Sequence, residues 1–241
     1  MADAWVLIVI FLATLIRSAF GFGEALIAVP LLALLIPVEV AAPLAVLISI
    51  TVAAVIVLQD WHKVHLSSAW RLILSTLFGI PLGLLLLINV SEPVVKAILA
   101  IVIMMFSAYC LMRRTPLLLP DDRLAWLFGF GAGVLGGAYG MNGPPLVVYG
   151  TLRRWSAEQF RATLQGYFLA ASVVGMIGYW LAGLWVADVT RYFLLSLPVA
   201  TASIVLGRWL NRRLSGPLFI RDVHIALIVI GITLLIQAVV R

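Results

Sequence analysis

Two formal charges, Arg17 and Glu24, lie within otherwise apolar stretches near the start of the chain. An ionisable side chain in such surroundings needs a partner or a function. Two interpretations are open. The two side chains form a structural ion pair, or Glu24 takes up and releases a coupling proton while Arg17 attracts an anion. Gly21 and Gly23 interrupt the apolar pattern between them, so the sequence does not set the distance between the two charges.

A second group of polar residues lies around another interruption, at residues 136–145. Asn142 stands in the interruption itself, where its amide can both donate and accept hydrogen bonds. The alternative is that Asn142 only caps the segment that follows it. Gly140 and Gly143 of the same interruption, together with Tyr139 and Gln165 as polar residues at comparable depth, complete this set of candidate substrate-binding residues.

Both interruptions have the composition of a break in a helix. Glycine permits unusual backbone angles and close approach of a ligand to the backbone. The N-terminus of each following helical segment would present N–H groups and a partial positive charge to a small anion. The breaks at 21–24 and 140–145 are therefore the predicted substrate site. For Gly129, Gly131 and Gly133 we favour tight helix packing instead.

The composition requires a membrane around these segments. Of the 241 residues, 64% are hydrophobic and 11% are charged, whereas soluble domains have roughly 45–50% and about 25%. The net charge of +6 is assigned to cytoplasmic loops rather than to nucleic-acid binding. Cys110 is the single cysteine, so neither an intramolecular disulfide nor a cysteine-based metal motif is expected.

The apolar pattern predicts an all-α integral membrane protein with ten segments. Segments 24–36 and 143–152 are too short for a comfortable crossing of the bilayer, since a helix rises about 1.5 Å per residue. The ten predicted segments are 5–20, 24–36, 41–59, 67–88, 94–112, 123–139, 143–152, 159–182, 189–210 and 222–240.

The order of segments and breaks repeats in the two halves of the chain. At a constant offset, residues 19–21 (Ala-Phe-Gly) correspond to residues 138–140 (Ala-Tyr-Gly). This indicates one membrane domain of two repeats, 1–115 and 116–241, each a broken-helix hairpin followed by three transmembrane helices.

Loop charges predict that the repeats have inverted topology. The loop 37–40 has no basic residue, whereas its counterpart 153–161 has three arginines. Loops rich in arginine and lysine face the cytoplasm. Equivalent loops then lie on opposite sides, and both termini are expected outside the cytoplasm. The expected location is the inner (plasma) membrane, with several crossings.

The two interruptions resemble the motifs of the sulfite exporter TauE/SafE family. The similarity is carried by residues 21–32 (GFGEALIAVPLL), by residues 136–145 (GGAYGMNGPP) and by residues 160–163 (FRAT). This resemblance spans essentially the whole chain. It implies transport of small sulfur-containing anions such as sulfite or organosulfonates.

Together these patterns predict a secondary transporter of a small oxyanion that works by alternating access between the repeats. The alternative is a carrier or channel for another small organic acid or inorganic ion. An intramembrane enzyme is disfavoured, because the sequence has neither a His-Glu-x-x-His nor a Gly-x-Ser-x-Gly motif. No cofactor, metal site or nucleic-acid partner is expected. The expected partners are the anion and the lipid bilayer, with coupled protons and a homo-oligomer left open.

Overall fold

The apolar segments all form helices in the structure, a computed structural model that describes residues 2–20, 23–60, 66–112, 119, 121–155, 157–211 and 217–240. Every regular element in these ranges is helical, as the sequence predicts. The helices are α1 (Ala2–Phe20), α2 (Glu24–Ala33), α3 (Val38–Asp60), α4 (Leu66–Asn89), α5 (Glu92–Met112), α6 (Ala125–Tyr139), α7 (Gly143–Leu152), α8 (Ala157–Leu181), α9 (Ala187–Asn211) and α10 (Pro217–Val240).

Five of the described helices are long and apolar enough to cross a membrane, namely α3, α4, α5, α8 and α9. These are five of the six predicted full spans, and the sixth corresponds to α10, a helix of 24 residues. Large apolar side chains such as Phe78, Met105 and Leu127 are more than half exposed. An apolar exterior of this kind is stable in lipid and not in water.

The short helices α2 and α7 begin at the two predicted breaks. Gly23 precedes α2 with a φ of 98°, and Gly140 ends α6 with a φ of 64°. Both angles are in the left-handed region, which glycine adopts without strain. The Gly140 N–H donates to the Gly136 carbonyl (2.8 Å) and the Met141 N–H to the Leu135 carbonyl (3.2 Å). These bonds give partners to the Gly136 and Leu135 carbonyls in the last turn of α6, so the helix ends at Tyr139.

Helix α7 starts directly after the second break because of its prolines. Pro144 and Pro145 occupy the first turn, where a helix has no partner for the N–H groups that proline lacks. A chain that stops α6 at Gly140 and restarts as α7 at Gly143 leaves only residues 140–142 as non-helical backbone. Backbone of this kind at membrane depth has to lie inside the protein, and residues 140–142 are buried.

Helices α4 and α6 pack at very close range through their glycines. A methyl group on Gly133 would lie 2.4 Å from the Thr76 carbonyl oxygen, and one on Gly83 would lie 2.1 Å from the Val134 carbonyl oxygen. Small residues permit such backbone contact between membrane helices. The packing role predicted for Gly129 and Gly133 is confirmed. Gly131 lies in more open space, with Pro145 Cγ 4.0 Å from its added methyl group.

Helices from the two halves of the chain pack against each other. Besides α4 on α6, the main contacts join α1 to α9, α3 to α8 and α5 to α10. In each of these pairs one helix comes from residues 1–115 and the other from residues 116–241. The apolar core is therefore shared between the halves, and the breaks lie in its interior.

Candidate functional site

A cavity lies between Gly23 and Glu24 of the first break and residues 140–143 of the second. Its volume is about 30 Å³, which is room for about two water molecules. Helices α1, α2, α3, α5, α7 and α8 and both breaks contribute to its wall. The lining residues are Arg17, Gly23, Glu24, Ala25, Leu26, Ser49, Phe106, Gly140, Met141, Asn142, Gly143, Pro144, Val147, Phe168 and Ser172.

Arg17 and Glu24 form a buried ion pair in the wall of this cavity. Arg17 Nη1 lies 2.5 Å from Glu24 Oε2, and each residue is 2% exposed. Thr14 donates a hydrogen bond to the other carboxylate oxygen, Oε1, at 3.0 Å. The structure therefore shows the ion pair that was one of the two interpretations of these charges. The pair also lines the cavity, so a structural and a functional role are compatible.

The Arg17 guanidinium is held from both halves of the chain. Its Nη1 also donates to Ser49 Oγ (2.7 Å) on α3, and its Nη2 donates to Gln165 Oε1 (3.1 Å) on α8. The ring of Phe168, also on α8, lies 5.4 Å from the guanidinium carbon. Among the residues that the structure describes, no acceptor reaches Arg17 Nε. The guanidinium is thus fixed in orientation, and Nε is left with unused donor capacity.

The N-terminus of α2 adds backbone donors to the same wall. The first intrahelical bond of α2 runs from the Ile27 N–H to the Gly23 carbonyl (3.2 Å). The N–H groups of Glu24, Ala25 and Leu26 precede this bond, so they have no partner within the helix. All three residues line the cavity. In α7, by contrast, two of the first three residues are prolines, so that N-terminus contributes fewer donors than the sequence suggested.

Asn142 also lines the cavity, and its side chain does not cap α7. No side-chain capping bond is made by this residue, so the alternative interpretation of Asn142 as a cap is wrong. Its amide packs against α6, where a methyl group on Gly136 would lie 2.2 Å from Asn142 Oδ1. It also interacts with the Tyr167 hydroxyl, which is hydrogen-bonded to Thr76 Oγ1. These contacts connect the cavity to the interface of α4 and α6.

The predicted site residues divide into four groups. Arg17, Gly23, Glu24, Gly140, Asn142 and Gly143 line the cavity, and Gln165 contacts it through Arg17. Tyr139 is fully buried, and its hydroxyl donates to the Val95 carbonyl at 2.9 Å, away from the cavity. Gly21 lies outside the described residues.

Several cavity residues were not predicted. Ser49 and Ser172 lie 3.4 Å apart (Oγ to Oγ) in the wall, and Phe106 and Phe168 supply its apolar part. Serine and phenylalanine are ordinary residues of membrane helices, so their types give no signal. The constant offset between the two repeats does give a signal. It matches Ser49 with Phe168, and both side chains line the cavity.

No cluster of three or more histidine, cysteine, aspartate or glutamate side chains that could hold a metal ion occurs in the described parts of the chain. The cavity instead offers one guanidinium, one carboxylate, hydroxyls, an amide and backbone N–H groups. This set of groups is suited to an anion and a proton, because it combines a fixed cation and many donors with a single titratable acid.

The apolar exterior, the long helices and the paired breaks define a multi-pass membrane protein. The chain belongs to the sulfite exporter TauE/SafE family, whose model matches residues 6–234. The resemblance carried by the two motifs is thereby confirmed, and the chain is a member of a transporter family. Comparisons with curated proteins and with solved structures gave no match.

Proposed function

We propose that this protein is a secondary transporter of a small sulfur oxyanion, sulfite or an organosulfonate, which binds in the cavity between the two breaks. The observation that carries the proposal is the fixed Arg17 guanidinium in the cavity wall, beside the N-terminus of α2. A guanidinium and helix N–H groups bind the oxygens of a planar or pyramidal oxyanion by charge-assisted hydrogen bonds. The small cavity volume favours a compact anion over a large organic substrate.

Alternating access at the repeat interface is the mechanism that we infer for this site. The helix packing supports a twofold relation between the halves. If α1 to α5 correspond to α6 to α10 in order, the contact of α1 with α9 is equivalent to that of α6 with α4. The contacts of α3 with α8 and of α5 with α10 then join equivalent helices. Transporters built of inverted repeats bind substrate at such an interface, near the middle of the bilayer.

Two ion pairs also follow this relation. Asp3 pairs with Arg191 of α9, and Asp122 lies 3.8 Å from Arg71 of α4. The repeat offset matches Asp3 with Asp122, and both arginines belong to the early turns of corresponding helices. In an inverted repeat these ion pairs would lie at opposite faces of the membrane.

Transport itself is tested with purified protein in liposomes. We expect radiolabelled sulfite or methanesulfonate to enter proteoliposomes faster than protein-free liposomes, with saturation at high concentration. A carrier for an unrelated solute would move neither anion. Entry of neither anion above the protein-free rate would contradict the proposed substrate class.

The inverted topology is tested by cysteine accessibility in a Cys110→Ser background. We expect cysteines at positions 39 and 92 to react with a membrane-impermeant thiol reagent from outside, and those at 118 and 157 only from inside. The reason is the opposite loop charge of the two halves. Reaction of positions 39 and 157 from the same side would exclude this topology.

A further inference from the structure

Without a bound anion, the opposite charges of Arg17 and Glu24 cancel, so these two side chains give the cavity no net charge. Glu24 Oε2 contacts Arg17 Nη1 at 2.5 Å, in the position that an anionic substrate would need in order to share the same guanidinium. Ser49 and Gln165 hold the guanidinium from the other directions. The carboxylate therefore acts as an internal anion, and it competes with any external one.

An anion that enters this cavity creates an unfavourable pair of negative charges. Both would lie beside one cation in a site of about 30 Å³, next to side chains that are each 2% exposed, and charge repulsion is strong between groups shielded from water. A buried carboxylate next to another negative charge favours its protonated form. Taking up one proton removes the repulsion, and Thr14 Oγ1, 3.0 Å from Oε1, remains as a hydrogen-bond partner of the neutral acid.

On this basis we propose that Glu24 carries one proton for each monovalent anion bound at Arg17, so that transport is electroneutral. The inference rests on the proposed function and adds its coupling ion and stoichiometry. The proton comes from the solution that the anion leaves, forms the O–H bond of the Glu24 acid, and is released with the anion on the other side. The empty site, with Arg17 and Glu24 paired again, returns without net charge.

Other titratable groups near α2 already have partners or are remote from the carboxylate. Helix α2 packs against α1, α3, α5, α7 and α10. On α5, the buried Lys96 pairs with Glu92 at 3.1 Å. Among the charged groups of α3, Glu39 is exposed at the end of that helix.

The other titratable side chains described on these helices include Tyr149, Tyr109, Cys110 and His224. Tyr149 of α7 donates to Asp122 at 2.6 Å, and Tyr109 lies on α5 with a partner of its own. His224 of α10 packs on the Phe106 ring with the ring centres 5.6 Å apart, which places Phe106 between it and the cavity. Among the described side chains, Arg17 is the charged group in direct contact with Glu24, so these two residues set the charge of the site.

The charge balance predicts how substitution of Glu24 changes transport. In the Glu24→Gln variant the empty site carries the +1 charge of Arg17, and the loaded site is neutral. Anion movement then transfers net charge. The variant should convert an electroneutral proton–anion symporter into an electrogenic anion carrier.

The experiment measures methanesulfonate flux in proteoliposomes under an imposed pH gradient or an imposed membrane potential. Methanesulfonate is the anion of a strong acid, so its own charge does not change with pH. We expect wild type to respond to the pH gradient and not to the potential. We expect Glu24→Gln to respond to the potential and not to the pH gradient. Glu24→Asp keeps a titratable acid and should retain the pH response, and the exposed Glu39→Gln is the matched control that should behave as wild type.

Binding provides a second measurement that does not depend on flux. Coupling to one proton predicts that the Kd of wild type for methanesulfonate rises by up to tenfold for each pH unit, because binding requires one proton to be taken up. In Glu24→Gln the Kd should be independent of pH. Methanesulfonate should also raise the Tm of Glu24→Gln more than that of wild type, since the anion replaces the missing partner of Arg17.

Equal responses of wild type and Glu24→Gln to the pH gradient would overturn the coupling role of Glu24. A wild type that responds to the membrane potential would overturn electroneutrality. If sulfite is transported and methanesulfonate is neither bound nor moved, the same two gradients are applied to sulfite at a pH where it is mainly the monovalent hydrogensulfite. A wild type that then responds to the membrane potential overturns the one-proton, one-anion stoichiometry, and the proposed function stands. If neither anion is transported, the proposed function itself fails.

Discussion

Arg17→Met is expected to abolish anion transport and to lower the free energy of unfolding by about 3–5 kcal/mol, the cost of leaving a buried charge without its partner. The charge left behind is that of Glu24, which is 2% exposed. Methionine fills a similar volume without charge, so the loss is one of ion pairing rather than of packing. The measurements are chemical unfolding in detergent and sulfite flux in proteoliposomes.

The double variant Arg17→Met/Glu24→Gln separates stability from function. Removing both charges of a buried pair leaves no uncompensated charge, so most of the lost stability should return. Transport should stay absent, because the anion has lost its cation. Recovery of transport in the double variant would show that the pair is only structural.

Arg191→Met is the matched control for Arg17→Met. Arg191 pairs with Asp3, and both side chains are about half exposed. Exposed ion pairs contribute about 0–1 kcal/mol, so this variant should unfold and transport as wild type does. A loss as large as that of Arg17→Met would mean that burial is not what distinguishes the two pairs.

Gly133→Ala is expected to destabilise the protein by about 1–3 kcal/mol, the usual range for overpacking an interior, and to reduce transport. The new methyl group would lie 2.4 Å from the Thr76 carbonyl oxygen and 2.9 Å from Gly79 Cα. These are backbone atoms, so α4 and α6 have to move apart. Separation of the helices would also disturb the Thr76 hydroxyl, which contacts the Gly129 carbonyl at 2.9 Å and the Tyr167 hydroxyl next to Asn142.

Gly131→Ala on the same helix is the control for this effect. Its methyl group meets nothing closer than Pro145 Cγ at 4.0 Å. Alanine is a better helix former than glycine by about 1 kcal/mol, so the Tm of this variant should be unchanged or raised. Equal destabilisation by the two substitutions would show that glycine at these positions serves the helix itself and not the contact with α4.

The sequence predicts the helices and the breaks because both depend on local properties. In the part of the chain that the structure describes, each of the ten apolar segments forms a helix, and segment 143–152 coincides with α7. The prolines at its start and the glycine that ends α6 leave few alternatives for the backbone. Helix α2 ends at Ala33, three residues before the end of the predicted segment 24–36. The sequence gives no stop signal there, because Leu34, Leu35 and Ile36 are apolar.

The candidate site depends on distances that local patterns do not contain. The sequence identified Arg17 and Glu24 by their cost in an apolar segment. The sequence does not show whether Arg17 and Glu24 form an ion pair, because the direction of the chain after Gly23 is set by packing. Ser49 and Gln165 reach Arg17 from α3 and α8, and only the assembled helices bring these side chains together. Tyr139 lies next to the second break in the sequence, yet its hydroxyl is directed to Val95 of α5.

The central claim is that an oxyanion binds between Arg17 and Asn142, and an anomalous diffraction experiment with selenite tests it most directly. Selenite has the shape and charge of sulfite, and selenium can be located by its anomalous scattering. We expect one strong anomalous peak in the cavity, within hydrogen-bonding distance of Arg17 and of the first N–H groups of α2, and loss of this peak in Arg17→Met/Glu24→Gln. A peak that persists in the double variant, or a cavity that stays empty at saturating selenite, would contradict it.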